Sequence, residues 1–187
     1  MLEGTQPEKS ILLIHGVTYS SHEFDIDYED YSLVRFLARE GYAVWRLDIA
    51  GFGQSGEVED GFLPDSDYAA EDINAAVEKI VQVMGQNQVD LLGWSWGTVT
   101  ASRFAASHSE HLDKARSLID LEKITVPTLV ICGDTDPYLN YDMVNAVLDH
   151  LPEGSELDVL EGGSHVVFIE KPYYREFQDK IIEYLEK

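Results

Sequence analysis

The 187-residue chain is 44% hydrophobic and 26% charged, the composition of an ordinary globular protein long enough to bury a core without staples. Lys and Arg total 13 against 35 for Asp and Glu, a formal charge of -22, so phosphate backbones and anionic lipid are repelled and neither nucleic acid nor membrane is an expected partner. The single cysteine, Cys132, excludes an internal disulfide, and no apolar run reaches the roughly 18–20 residues that span a bilayer, so a cytoplasmic location is expected.

Short apolar runs alternate with helical patterns along the chain, which predicts a mostly or wholly parallel sheet with helices on both faces. The first predicted strand is Ser10–His15. Leu33, Phe36 and Leu37 then mark a helical stripe that stops at Gly41. Ala43–Asp48 is the second strand, and a helix capped by Ser66 or Asp67 follows. That helix turns Ile73, Ala76, Val77, Ile80, Val81 and Met84 inward and ends at Gly85. Val89–Gly93 is the third strand and leads into a helical Thr98–Ala106. Ser107–Lys123 is polar and helical in character without a clear strand. Thr128–Cys132 is the fourth strand, in which Cys132 reads as a small buried hydrophobe. Met143, Val144, Val147, Leu148 and Leu151 form a stripe before Pro152. Leu157–Glu161 alternates more than the other runs, as an edge strand does. Pro172 opens a last helix with Tyr174, Phe177, Ile181 and Leu185 on one face. Residues 1–187 are expected to form one domain.

The strongest chemical signal is Gly93-Trp94-Ser95-Trp96-Gly97, a Gly-x-Ser-x-Gly pattern with a strand before it and a helix after. A nucleophilic serine must project from a tight strand-to-helix turn, which needs small residues two positions to either side. The following helix aims its N-terminal N–H groups where oxyanion charge develops. Such a serine needs a base, and the base an orienting group. Two later strands end in Gly133-Asp134-Thr135-Asp136-Pro137 and Gly162-Gly163-Ser164-His165. These supply His165 as the base and Asp136 as the orienter, preferred over Asp134 because it sits deeper in its loop. The first strand ends in His15-Gly16-Val17, so the Val17 N–H can pair with that of Trp96 as an oxyanion hole, with His15 in a packing or hydrogen-bonding role.

Three other patterns carry less. Gly51-Phe52-Gly53-Gln54-Ser55-Gly56 fits a dinucleotide fingerprint, but the acidic stretch that follows does not open a helix, so no nucleotide cofactor is expected. His108 and His111 share a helix face without a third ligand and read as imidazoles near a helix C-terminus, not as a metal site. The run from Glu23 to Asp30 reads as a solvated loop whose aromatics could also stand at the site mouth.

These motifs, with Asp48-Ile49-Ala50-Gly51-Phe52-Gly53-Gln54-Ser55, resemble the α/β-hydrolase superfamily in its small-esterase and carbon–carbon-hydrolase-like branch, in family order from about residue 10 onward. The resemblance implies a Ser-His-Asp triad of Ser95, His165 and Asp136 acting on a small ester or other acyl substrate, without cofactor or metal. It also exposes a departure. Two early strands, a strand between Ser95 and Asp136, and the cap or lid have no counterpart, which points to a lidless, pared-down or engineered version. With that strand removed the expected fold is a three-layer doubly wound sheet of five strands in the order 2-1-3-4-5, as in flavodoxin-like folds. Its removal would draw the Asp136 and His165 loops toward Ser95 by about 4.8 Å, enough to spoil a triad. Two readings from different classes therefore stand, a weak and unselective carboxylesterase and a catalytically silent scaffold. Carbon–carbon bond hydrolysis is a third, short of the lid it needs. Apolar surface left by the missing parts also allows a homodimer or a domain swap.

Overall fold

The chain begins its ladder with β1 (Lys9–Ile14), which pairs in parallel with β2 (Tyr42–Leu47) on one side and β3 (Asp90–Gly93) on the other. A second parallel ladder joins β4 (Leu129–Gly133) to β5 (Glu156–Leu160). A computed structural model describes residues 7–61, 64–108 and 124–187, and gives residues 141–143 and 146 by their backbone alone. Each strand lies within one residue of its expected position, and the orders 2-1-3 and 4-5 are both present. Among the described residues no ladder joins β3 to β4. The expected loss of a strand and a lid falls on 109–123, outside the described residues.

The helices are α1 (Leu33–Arg39), α2 (Ser66–Met84), α3 (Trp96–Ser107), α4 (Tyr141–Leu148) and α5 (Tyr173–Leu185). Alternation along β1 assigns them to two faces. Leu12 and Ile14 pack with Ile73, Val77 and Ile80 of α2 and Phe104 of α3. Ile11 and Leu13 pack with Leu33 and Leu37 of α1 and Phe177 and Ile181 of α5. The second cluster also contains Leu92 of β3, Leu160 of β5, Val167 and Phe168, so side chains pack the two ladders together. The expected inward residues of α5 are all buried, as are Val144 and Val147 of α4; the side chain of Met143 lies outside the described set.

Helix ends follow the capping chemistry with one correction. Ser32 accepts the Arg35 N–H and opens α1, and Gly41, at φ 92°, stands just past the Glu40 C-cap. The α2 cap is Asp65, not Ser66 or Asp67: one of its carboxylate oxygens accepts from the N–H groups of Asp67 (3.0 Å) and Tyr68 (2.9 Å). Ser66 instead accepts the Trp96 indole N–H at 3.1 Å, and Asp67 pairs with Arg103.

The loop after β1 departs from expectation. Ser21–Phe24 is a turn of 3-10 helix in which Phe24 enters the core and Glu23 is buried, so this part of the run is not solvated. Burial pushes the Glu23 carboxyl up to about 8, against the lowering effect of the Gly16 N–H, which donates to it at 3.0 Å. Among the described residues its second oxygen has no hydrogen-bond partner. The folded protein therefore keeps a proton on Glu23 that the unfolded chain releases at the ordinary value of 4.5. Between these values the native state binds more protons, so stability falls as pH rises through the window and levels off above it.

Two outcomes follow for stability. Asp65→Ala should cost about 1 kcal/mol, read as a drop of about 2–4 °C in a thermal melt followed by circular dichroism. Glu23→Gln should flatten the decline between pH 5 and 9, gaining several degrees on the wild type at the alkaline end; parallel melts across that range check it.

Candidate active site

Ser95 occupies the sharp turn between β3, which ends at Gly93, and α3, which begins at Trp96. Its backbone sits at φ 54°, ψ -120°, a strained conformation for a residue with a side chain. The flanking glycines make that turn possible. A Cβ on Gly93 would run into the carbonyl of Gly97, and one on Gly97 into the carbonyl of Ile14. Both are close approaches of backbone to backbone, which no larger residue permits.

The turn also sets the surrounding donors. The Gly97 N–H is used by Trp94 O and the Thr98 N–H by Ser95 O. Among the described residues the Trp96 N–H donates to no protein acceptor, and neither does the N–H of Val17, in the loop after β1 where Thr18 adopts φ 69°. The preceding N–H, that of Gly16, is taken by Glu23. His15 is fully buried and structural: its Nδ1 bonds Gly16 O at 2.8 Å, its Nε2 accepts the Ile49 N–H at 3.2 Å, and its ring packs on Phe52.

His165 and Asp136 come from the loops that follow β5 and β4. His165 Nε2 lies 3.1 Å from Ser95 Oγ, and its Nδ1 lies 2.8 Å from Asp136 Oδ2. The other Asp136 oxygen accepts the Tyr138 N–H at 2.9 Å, which fixes the carboxylate plane. Asp134 accepts from Gly162 N–H instead and is not in the chain of bonds. The two loops are tied to each other by Thr135 N–H and Oγ, both of which donate to Gly163 O, and a Cβ on Gly133 would collide with that same carbonyl. Trp94 ties the pair to the first ladder: its indole N–H donates to His165 O at 3.1 Å, and its ring contacts both His165 and Phe168. Ser95, His165 and Asp136 thus lie within hydrogen-bonding range of one another in series.

The site mouth is aromatic. Tyr138, 81% exposed, meets His165 edge-on, and Tyr19 meets Trp94 in the same way. Trp96 faces elsewhere, against Phe52 and Ser66. Cys132 lies near the site, but burial pushes its thiol up to about 11, with Asp136 and Asp134 adding to the shift, so it stays protonated near neutral pH. Composition and motif spacing did not single out Glu23 or the Trp94 indole bond. Both depend on contacts between segments far apart in sequence.

The weaker patterns resolve locally. The loop from Gly51 to Gly56 wraps on Asp48, whose carboxylate accepts the N–H groups of Ser21 and Gln54. Burial would raise that carboxyl, yet these bonds hold it below its ordinary value. A Cβ on Gly53 would overlap the same carboxylate, and α2 begins only at Ser66, so no strand-to-helix phosphate turn forms here. His108 closes α3 and stacks on Phe104; His111 lies outside the described residues. Among the described residues no three His, Cys, Asp or Glu side chains gather as metal ligands, and no helix is long and apolar enough to cross a membrane.

Known proteins place this architecture. The chain is 25% identical over 193 residues to protein ABHD14A of Danio rerio, covering 97% of this chain and 66% of that protein, so it spans just under two thirds of that relative's length. Among solved structures, a CIB-like hydrolase from Thermoplasma acidophilum superposes with a TM-score of 0.80 at 25% identity, covering 97% of this chain and 88% of that one. A monoacylglycerol lipase from Paleococcus ferrophilus shares the fold, with a TM-score of 0.81 at 16% identity over 97% and 95% of the two chains. The model of the alpha/beta hydrolase fold matches residues 9–120, more than half of the sequence, and the chain belongs to that family.

Proposed function

We propose that the protein is a serine hydrolase that cleaves small carboxylic esters through an acyl-enzyme on Ser95. The observation that carries this reading is the unbroken chain of bonds from Ser95 Oγ through His165 to Asp136, at 3.1 and 2.8 Å. In this mechanism Ser95 Oγ gives its proton to His165 Nε2 and attacks the ester carbonyl carbon. The carbonyl oxygen becomes an oxyanion and is held by the N–H groups of Val17 and Trp96. Collapse of the tetrahedral intermediate breaks the bond to the alcohol oxygen, which takes the proton from His165. Water then repeats the sequence on the acyl-enzyme and releases the acid. Asp136 keeps the Nδ1–H tautomer of His165 and stabilises the imidazolium formed in each half-reaction.

The protonation state of Glu23 suits the same chemistry. A carboxylate beside Gly16 would oppose negative charge forming one residue away at Val17, whereas the neutral acid does not.

Labelling with a fluorophosphonate, read by intact mass, tests the reading directly. One adduct is expected on the wild type and none on Ser95→Ala. Asp136→Asn should retain the fold and lower kcat/KM on an activated ester by roughly 10,000-fold, as loss of the tautomer control implies. A folded wild type that takes no adduct would leave the chain a silent scaffold with hydrolase ancestry.

A further inference from the structure

The Val17 N–H sits in a short loop between β1 and the 3-10 turn Ser21–Phe24, and the peptide that fixes this loop is that of Gly16. Gly16 O is bonded by the Tyr19 N–H at 3.3 Å and by His15 Nδ1 at 2.8 Å, and Gly16 N–H donates to Glu23 Oε1 at 3.0 Å. Gly16 also lies directly against the Ser95 turn. A Cβ there would stand 2.8 Å from the Trp94 ring and 3.2 Å from Ser95 Cβ. Movement of Gly16 away from Trp94 would therefore carry the Val17 N–H away from Ser95. Glu23 is anchored independently of Gly16. Phe24 beside it enters the core and meets Phe168, and the Ser21 N–H in the same turn donates to Asp48 at 2.7 Å. The carboxyl belongs to a residue only 9% exposed, and among the described residues Gly16 is its one hydrogen-bond partner.

We infer that Glu23 is a positioning residue of the proposed hydrolase: by holding Gly16 it seats the Val17 N–H against the Ser95 turn, and once ionised it opposes the oxyanion which that N–H receives. The inference rests on the serine-hydrolase reading and adds a pH limit to it. Around the turn the titratable and charged groups are His15 after β1, Arg46 and Asp48 at the end of β2, Arg35 of α1, and His22 and Asp25 flanking Glu23. His165 stands beyond the Trp94 ring. Arg35 and Arg46 face Asp25 at 3.6 and 3.7 Å, Asp48 accepts the Ser21 and Gln54 N–H groups, and His22 is exposed. His15 is engaged with Gly16 O and the Ile49 N–H, and His165 with Ser95 and Asp136. None of these bonds to the Glu23 carboxyl, so burial and the Gly16 bond alone govern its ionisation, which falls at about 8. Below that pH the carboxyl is neutral and supports the loop. Above it a buried negative charge lies beside the oxyanion and repels it, so activity is lost as pH rises.

The experiment measures kcat and KM on 4-nitrophenyl acetate at pH 7 and pH 9.5, corrected for spontaneous hydrolysis, with circular dichroism confirming the fold at both. In the wild type kcat/KM at pH 9.5 should fall to about a tenth or less of its pH 7 value, as ionisation of one group near 8 requires. Glu23→Gln keeps an acceptor for the Gly16 N–H and cannot ionise, so its ratio between the two pH values should stay within about twofold of one. Glu23→Ala removes the acceptor and should lower kcat at pH 7 by on the order of tenfold with KM little changed, because the loss is felt when the oxyanion forms. The glutamine variant should recover most of that loss, and it keeps the test available if the alanine variant fails to fold. An alkaline fall in Glu23→Gln as steep as in the wild type, or an alanine variant with wild-type kcat, would overturn the inference and leave the hydrolase reading intact. A wild type that neither hydrolyses the ester nor takes a fluorophosphonate adduct would overturn both.

Discussion

The structure depends on holding two parallel ladders in register, and among the described residues no main-chain ladder joins them. Ser95 follows the first ladder, and Asp136 and His165 follow strands of the second. The bonds of 3.1 and 2.8 Å that join them survive only if the two halves do not slide. A single bond such as Trp94 Nε1 to His165 O contributes about 0.5–1.5 kcal/mol net, too little to hold two sheets. The larger share comes from the cluster that draws on both ladders and contains Leu13, Leu92, Leu160, Phe168 and Phe177. Each such side chain is worth about 1.5–3 kcal/mol on burial, but packing alone is tolerant of small shifts. The indole bond and the Gly133–Gly163 contact add the direction that packing lacks.

Strain at Ser95 is the counterpart of that rigidity. Holding Ser95 at φ 54° costs on the order of 1–3 kcal/mol, and the surrounding structure has to over-determine it. It does so through Gly93 and Gly97, which let the turn close onto the Ile14 carbonyl, and through α3, whose Gly97 and Thr98 N–H groups bond back to Trp94 and Ser95. Among the described residues the same closure leaves the Trp96 N–H without an acceptor, so the strain and the candidate oxyanion site arise from one local geometry. On the other side of the site, Glu23 takes up the Gly16 N–H, and among the described residues that of Val17 donates to no protein acceptor.

Much of this was legible in the sequence, for physical reasons that also explain what was not. Strands buried on both faces must be continuous apolar runs, so β1, β3 and β4 announce themselves to within a residue. Gly93 and Gly97 mark the sharp turn at Ser95 because backbone crowding forbids any larger residue there, and the three motif loops are legible without knowing how they pack. The expected α2 cap, Ser66 or Asp67, lies one or two positions past the observed one because Asp65, Ser66 and Asp67 are all capping residues. Only tertiary contacts, Trp96 on Ser66 and Arg103 on Asp67, decide among them. Glu23 reads as surface in an acidic run, and nothing local reveals that Phe24 beside it enters the core and carries the carboxyl inside.

The loops after β4 and β5 carry a stricter tolerance than the cores beneath them. A shift of about 1 Å between groups that must exchange a proton can cost on the order of a hundredfold in rate, whereas apolar packing absorbs small shifts at little cost. Thr135 meets this demand by giving both its N–H and its hydroxyl to Gly163 O, and the absence of a side chain on Gly133 lets that carbonyl come close. Trp94 adds the third anchor, from the turn after β3 to His165 O. For the proposed hydrolase these three contacts matter more to rate than to stability, because each is small in free energy and each fixes a direction.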